Sequence, residues 1–105
     1  MGKDSTDIGK VRFKQQLDQK FQLRQVSLQI IYNDDNILIK SGNATRPLLS
    51  ELKNELVYDG YAESGEVEEG CIHLYEADVW LCNDSLKETL LAKLDSMNYE
   101  VTFRP

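Results

Sequence analysis

The stretch Val26-Ser27-Leu28-Gln29-Ile30-Ile31-Tyr32, followed by Asn33-Asp34-Asp35-Asn36 and Ile37-Leu38-Ile39-Lys40, leaves the chain little choice of local structure. Apolar side chains at Val26, Leu28, Ile30 and Tyr32 recur with a period of two, the pattern of a strand with one buried face. The Asn and Asp run supplies residues that tolerate the left-handed conformations of tight turns. With Asp34-Asp35 as a two-residue loop, Tyr32 lies opposite Ile37 and Ile30 opposite Ile39, so the apolar face continues across both strands. An isolated hairpin is marginal in water, so this face needs more strands or a helix laid over it.

The following segments provide both. Pro47 suits the start of a helix, where its missing N–H is not needed, and Arg46 before it is pushed out of the helical region. Leu48, Leu49, Leu52, Leu56 and Val57 form an apolar stripe, and Gly60 after Asp59 is a good stop. These residues predict a helix over Pro47 to Tyr58. Tyr61 to Gly70 reads as a solvated loop or an edge strand blunted by Glu63, Glu66, Glu68 and Glu69. Its strand-like points are Tyr61-Ala62-Glu63 and Val67.

The run from Cys71 to Cys82 predicts a second hairpin, turning at Glu76-Ala77. That register sets Leu74 opposite Val79 and Ile72 opposite Leu81 on the core face. The other face then pairs Tyr75 with Asp78, His73 with Trp80 and Cys71 with Cys82. Ser85-Leu86-Lys87-Glu88 reads as a capping box opening a helix with Leu86, Leu90, Leu91, Leu94 and Met97 inward and Asn98 as its cap. Tyr99, Val101 and Phe103 alternate with polar residues and predict a closing strand.

The 105 residues hold one domain and one core. Within it, residues 1–7 read as a frayed terminus and residues 8–21 as a basic helix with Phe13, Leu17 and Phe21 on one stripe. Residues 22–105 form an α+β core. The order β-β-α-β-β-α-β implies a mainly antiparallel sheet of about five strands with two helices on one face, preceded by the N-terminal helix or arm. The two halves share a layout, and Leu48-Leu49-x-x-Leu52 resembles Leu90-Leu91-x-x-Leu94, which raises an internal duplication as one explanation.

Charge is unevenly spread. Residues 1–25 carry a local +3 and the rest −9, for a net −6. Between Lys53 and Lys87 there are nine acids and no Lys or Arg. This balance disfavours sequence-general nucleic-acid binding and fits contact with a basic protein surface. No window resembles a membrane span or a signal peptide, and two cysteines make no disulfide framework. The expected setting is the reducing cytoplasm, with Cys71 and Cys82 as free thiols in preference to a cross-strand disulfide.

No phosphate loop, nucleophile elbow, dinucleotide fingerprint or calcium loop is present, and an enzyme is the least supported class. His73, Cys71 and Cys82 share a face under the hairpin register, but three donors without a second CxxC or HxxxH fall short of a closed zinc site. An ordinary strand-face histidine is the preferred reading, with no metal and no cofactor expected. Trp80 on that face, with Tyr75, His73, Glu76 and Asp78, makes a candidate patch for a basic protein partner. The competing placement of Trp80 is beneath the N-terminal helix. The expected function is therefore a small acidic interaction domain: an adaptor, an inhibitor or a regulatory subunit. The alternative is nucleic-acid association through Lys10, Arg12, Lys14, Lys20 and Arg24; self-association through a strand edge is a third option.

Overall fold

The computed structural model describes residues 24–105. The N-terminal helix expected over residues 8–21 lies outside them. The described elements are β1 (Arg24–Asn33), β2 (Asn36–Lys40), α1 (Arg46–Tyr58), β3 (Ala62–Glu68), β4 (Cys71–Ala77), α2 (Val79–Ser96) and β5 (Tyr99–Arg104). They form an α+β fold with the order β-β-α-β-β-α-β, as the patterning implies. The five strands make one sheet in the order β3-β4-β2-β1-β5. Every neighbouring pair is antiparallel except β1 and β5, which run parallel.

The first hairpin has the register read from its pattern, with Tyr32 opposite Ile37 and Ile30 opposite Ile39. Asp34 takes a left-handed φ of 56° in its turn, a conformation that a short polar side chain tolerates. Strand β2 stops at Lys40, opposite Gln29, which leaves the first half of β1 without a neighbour on that side. Asn43 from the connector fills the gap with its side chain. Its Oδ1 accepts from Ser27 N at 3.2 Å and its Nδ2 donates to Gln25 O at 2.9 Å. One amide thus stands in for a strand, satisfying backbone groups that would otherwise be orphaned.

Helix α1 starts one residue before the expected position. Thr45 is the N-cap and accepts from Leu48 N, while Arg46 and Pro47 open the first turn. Gly60, at φ 92°, ends it. Strand β3, the ambiguous acidic segment, is a full edge strand paired only with β4. Gly65 matters there because the stem of Lys53 lies on it. A Cβ at Gly65 would meet Lys53 Cγ at 2.9 Å and His73 O at 3.0 Å.

The hairpin predicted over Cys71 to Cys82 is not formed. The second hairpin is β3–β4, turning at Glu69-Gly70 with Gly70 at φ 76°. Strand β4 ends at Ala77, and Asp78 caps α2 by accepting from Leu81 N at 3.0 Å. Val79, Trp80, Leu81 and Cys82 are therefore helical. Ser85, expected as the N-cap, sits two turns inside the helix. The physical reason is the spacing of the buried residues: Cys82, Leu86, Leu90 and Leu94 recur every four positions. This stripe continues back through Cys82 and needs a helix to stay on one side.

Both helices cover the same face of the sheet. Leu48, Leu49, Leu52 and Leu56 from α1 join Cys82, Leu86, Leu90 and Leu94 from α2 over Val26, Leu28, Ile37, Ile39, Ile72 and Leu74. The two Leu-Leu-x-x-Leu motifs are not structurally equivalent. Leu49 is fully buried near the start of α1, whereas Leu91 is 42% exposed deep inside α2. Two side chains tie α2 to its neighbours. Lys93, in the last turn of α2, reaches Glu55 of α1 at 2.8 Å and Asp59, the C-cap of α1, at 3.0 Å. Buried Tyr61 places its hydroxyl between Ser85 Oγ and Thr89 Oγ1.

Candidate functional site

The sheet face away from the helices carries the side chains that the core does not use. Strand alternation puts Cys71, His73 and Tyr75 of β4 on this face, because Ile72 and Leu74 point to the core. Cross-strand register extends it in rows. Ile31, Leu38, His73 and Glu66 form one row; Gln29, Lys40, Cys71 and Glu68 form the next. A shallow groove runs between Ile31, Leu38, His73 and Tyr75. The rings of His73 and Tyr75 stack with their centroids 6.2 Å apart.

Beside the β3–β4 turn, His73 Nε2 lies 3.3 Å from Glu68 Oε2 and 3.5 Å from Cys71 Sγ. Burial raises the Cys71 thiol above its ordinary pKa, and the Glu68 carboxylate raises it further, against an opposing pull from Lys40. This environment disfavours a thiolate nucleophile. Cys82 is not part of the group. It is buried in the core on the opposite side of the sheet, where its thiol faces Tyr61 O at 3.5 Å. Burial, reinforced by Asp78, pushes that thiol up to about 11. The two cysteines are free and are divided by the sheet.

The second exposed region is the end of the molecule where β4 gives way to α2. Ala77 N donates to Asp35 O at 2.7 Å, tying the first hairpin's turn to this junction, and Asp78 N donates to Tyr61 O at 2.9 Å. Asp34, Asp35, Glu76 and Asp78 are exposed here. Trp80, in the first turn of α2, is 86% exposed among the described residues. On the helix side, Tyr32 lines a recess with Asn83, Asp84, Lys87 and Glu88. Glu76 takes a φ of 50°, a left-handed conformation that glutamate seldom adopts.

The five residues expected to form one patch are therefore divided. His73 and Tyr75 lie on the open sheet face, as predicted. Trp80 is not opposite His73, because it belongs to a helix and not to a return strand. It gathers with Glu76 and Asp78 at the acidic end. Sequence reasoning missed Asp34 and Asp35 as neighbours of this junction. It also missed Glu68 as the partner of Cys71 and His73, since both associations depend on which strands pair. Of the basic residues, Lys10, Arg12, Lys14 and Lys20 lie outside the described residues; Arg24 lies over the ring of Tyr99, 4.6 Å from its centroid.

No described helix is long and apolar enough to cross a membrane. Comparison with protein-family models, curated proteins and solved structures returns no match. The function must be argued from the geometry of these two regions.

Proposed function

We propose that the chain is a protein-interaction domain that engages a basic protein surface through the acidic end around Trp80. The observation that supports this reading is the exposure of that tryptophan at the end of the molecule that also carries exposed Asp34, Asp35, Glu76 and Asp78. An indole exposed among the described residues is a large apolar surface open to a partner, and tryptophan is among the commonest anchors of protein interfaces. Glu76, Asp78 and the Asp34-Asp35 turn give the same end of the molecule negative charge that no salt bridge among the described residues neutralises. Such charge speeds encounter with a basic patch and rejects acidic partners, while the aromatic anchor sets the lifetime of the complex. The Tyr75 and His73 face adds a shallow apolar groove leading away from the same strand end. An adaptor, an inhibitor or a regulatory subunit would use a surface of this kind.

The test is affinity capture from the source cells with the full chain, its Trp80→Ala variant and a Glu76→Gln, Asp78→Asn double variant. Asparagine at 78 keeps the helix cap while removing its charge. The expected result is a basic partner held by the native chain and weakened at least about tenfold by Trp80→Ala. Its association should slow in the double variant and in added salt. A partner held equally by all three proteins, with kinetics indifferent to salt, would reject this surface.

A further inference from the structure

We propose that Glu68, Cys71 and His73 form a three-donor site for a zinc-class divalent cation on the open face of the β3–β4 hairpin. Among the described residues, this is the group of His, Cys and carboxylate side chains whose donor atoms converge, all lying within 4.8 Å of one another. Zinc binds thiolate sulfur at about 2.3 Å and imidazole nitrogen or carboxylate oxygen at about 2.0–2.2 Å. In a tetrahedron, those bond lengths hold sulfur and nitrogen about 3.5 Å apart, and nitrogen and oxygen about 3.4 Å apart. The observed separations are 3.5 Å for Cys71 Sγ to His73 Nε2 and 3.3 Å for His73 Nε2 to Glu68 Oε2. The sulfur and the carboxylate lie within 4.8 Å, an edge that the exposed Glu68 side chain closes by swinging in. One imidazole nitrogen thus faces a thiol and a carboxylate together. A single N–H or a single lone pair serves only one of them well; a cation between the three atoms serves all.

The backbone places the three side chains beside one another before any ion arrives. Glu68 and Cys71 are register partners flanking the Glu69-Gly70 turn, and His73 follows on the same face two residues later. The turn is anchored from behind, since Ser41 N donates to Gly70 O at 2.7 Å. Glu68 is exposed and His73 is partly covered, so the site is open to solvent and leaves its fourth position to water. The donor set mixes sulfur, nitrogen and oxygen, which suits a borderline cation better than calcium or magnesium, both of which prefer oxygen alone. Binding releases the thiol proton. It also joins β3 to β4 at the edge of the sheet, so the folded state gains stability with free metal by mass action.

The site is tested by titrating the reduced full-length protein with Zn²⁺ by calorimetry and with Co²⁺ by absorption. The expected result is one ion per chain, with the thiolate-to-cobalt charge-transfer band and intense visible bands of four-coordinate Co²⁺. Thermal unfolding should shift upward with Zn²⁺. Cys71→Ser should abolish the charge-transfer band, and His73→Gln and Glu68→Gln should each weaken binding at least about tenfold. All three changes lie on the exposed face, and circular dichroism of each variant confirms that the fold is intact. Cys82→Ala should retain the band. A band that survives Cys71→Ser, or Co²⁺ spectra of a six-coordinate oxygen site, would overturn the assignment.

Discussion

The two faces of the sheet follow different rules. The centre of the helix-covered face is made of aliphatic side chains that are almost completely buried, and among the described residues no charged side chain is buried with them. The open face mixes Ile31, Leu38 and Tyr75 with His73, Cys71, Lys40, Glu66 and Glu68. The first face determines whether the chain folds, because removing apolar area from water supplies most of the driving force. The second contributes little to folding and is free to carry chemistry. Cys82 and Cys71 show the contrast within one residue type: the former is a small core hydrophobe, the latter a donor among donors.

The largest test of this division is Leu90→Ala against Ile31→Thr. The core change should cost about 3 kcal/mol and the open-face change less than about 0.5 kcal/mol, both read from chemical denaturation. Comparable losses would mean that the open face is part of the core. Next comes alkaline unfolding. Burial raises the folded-state pKa of Cys82, so its contribution is complete below the unfolded thiol's value of about 8.5. That contribution is lost as the pH climbs towards about 11. Cys82→Ala should flatten the decline in stability across that window. Lys93, raised chiefly by its hydrogen bond to Glu55, loses its contribution in the same direction at higher pH.

Asp78→Ala should cost about 1 kcal/mol through loss of the α2 cap, while Asp78→Asn should be nearly neutral. If both were silent, the helix start would not be at Val79. Glu76→Asn should stabilise the domain by about 0.5 kcal/mol, because asparagine accepts the left-handed conformation more readily. If the acidic end is the working surface, the same change should weaken partner binding. The smallest effect is Trp80→Ala, within about 0.5 kcal/mol of the native chain. The native fluorescence maximum should be that of an indole in water; a blue-shifted maximum would mean that Trp80 is covered.

The first hairpin was legible because two independent signals agreed, the period-two pattern and a turn of Asn and Asp. Helix α1 carried its own punctuation in Pro47 and Gly60. The second half misled for a physical reason. Ile72, Leu74, Val79 and Leu81 also fit a period of two, so a strand followed by a helix start resembles a strand returning. Two signals pointed the other way: Asp78 three residues before Leu81, and the four-residue spacing that begins at Cys82. Strand β3 was ambiguous because an edge strand needs few apolar residues, and charge there discourages unwanted pairing. The Glu68, Cys71 and His73 group was hidden as a consequence. Which carboxylate faces the histidine depends on the pairing of β3 with β4, and the predicted hairpin substituted Cys82 for it.

The parallel pairing of β1 with β5 also bears on how the fold assembles in time. Gln25 and Glu100 meet across 75 positions of sequence. Each hairpin, by contrast, closes over a two-residue turn and can form while the chain is still short. Closing so long a loop is entropically costly and slow, and contacts of this kind set the pace of folding. During synthesis, the first half of β1 must wait for the last strand before its outer edge is paired, with Asn43 satisfying only the inner one. A chain cut before Tyr99 would therefore present Val26 and Leu28 beside an open edge, and aggregation from that edge is the failure to look for in truncated forms.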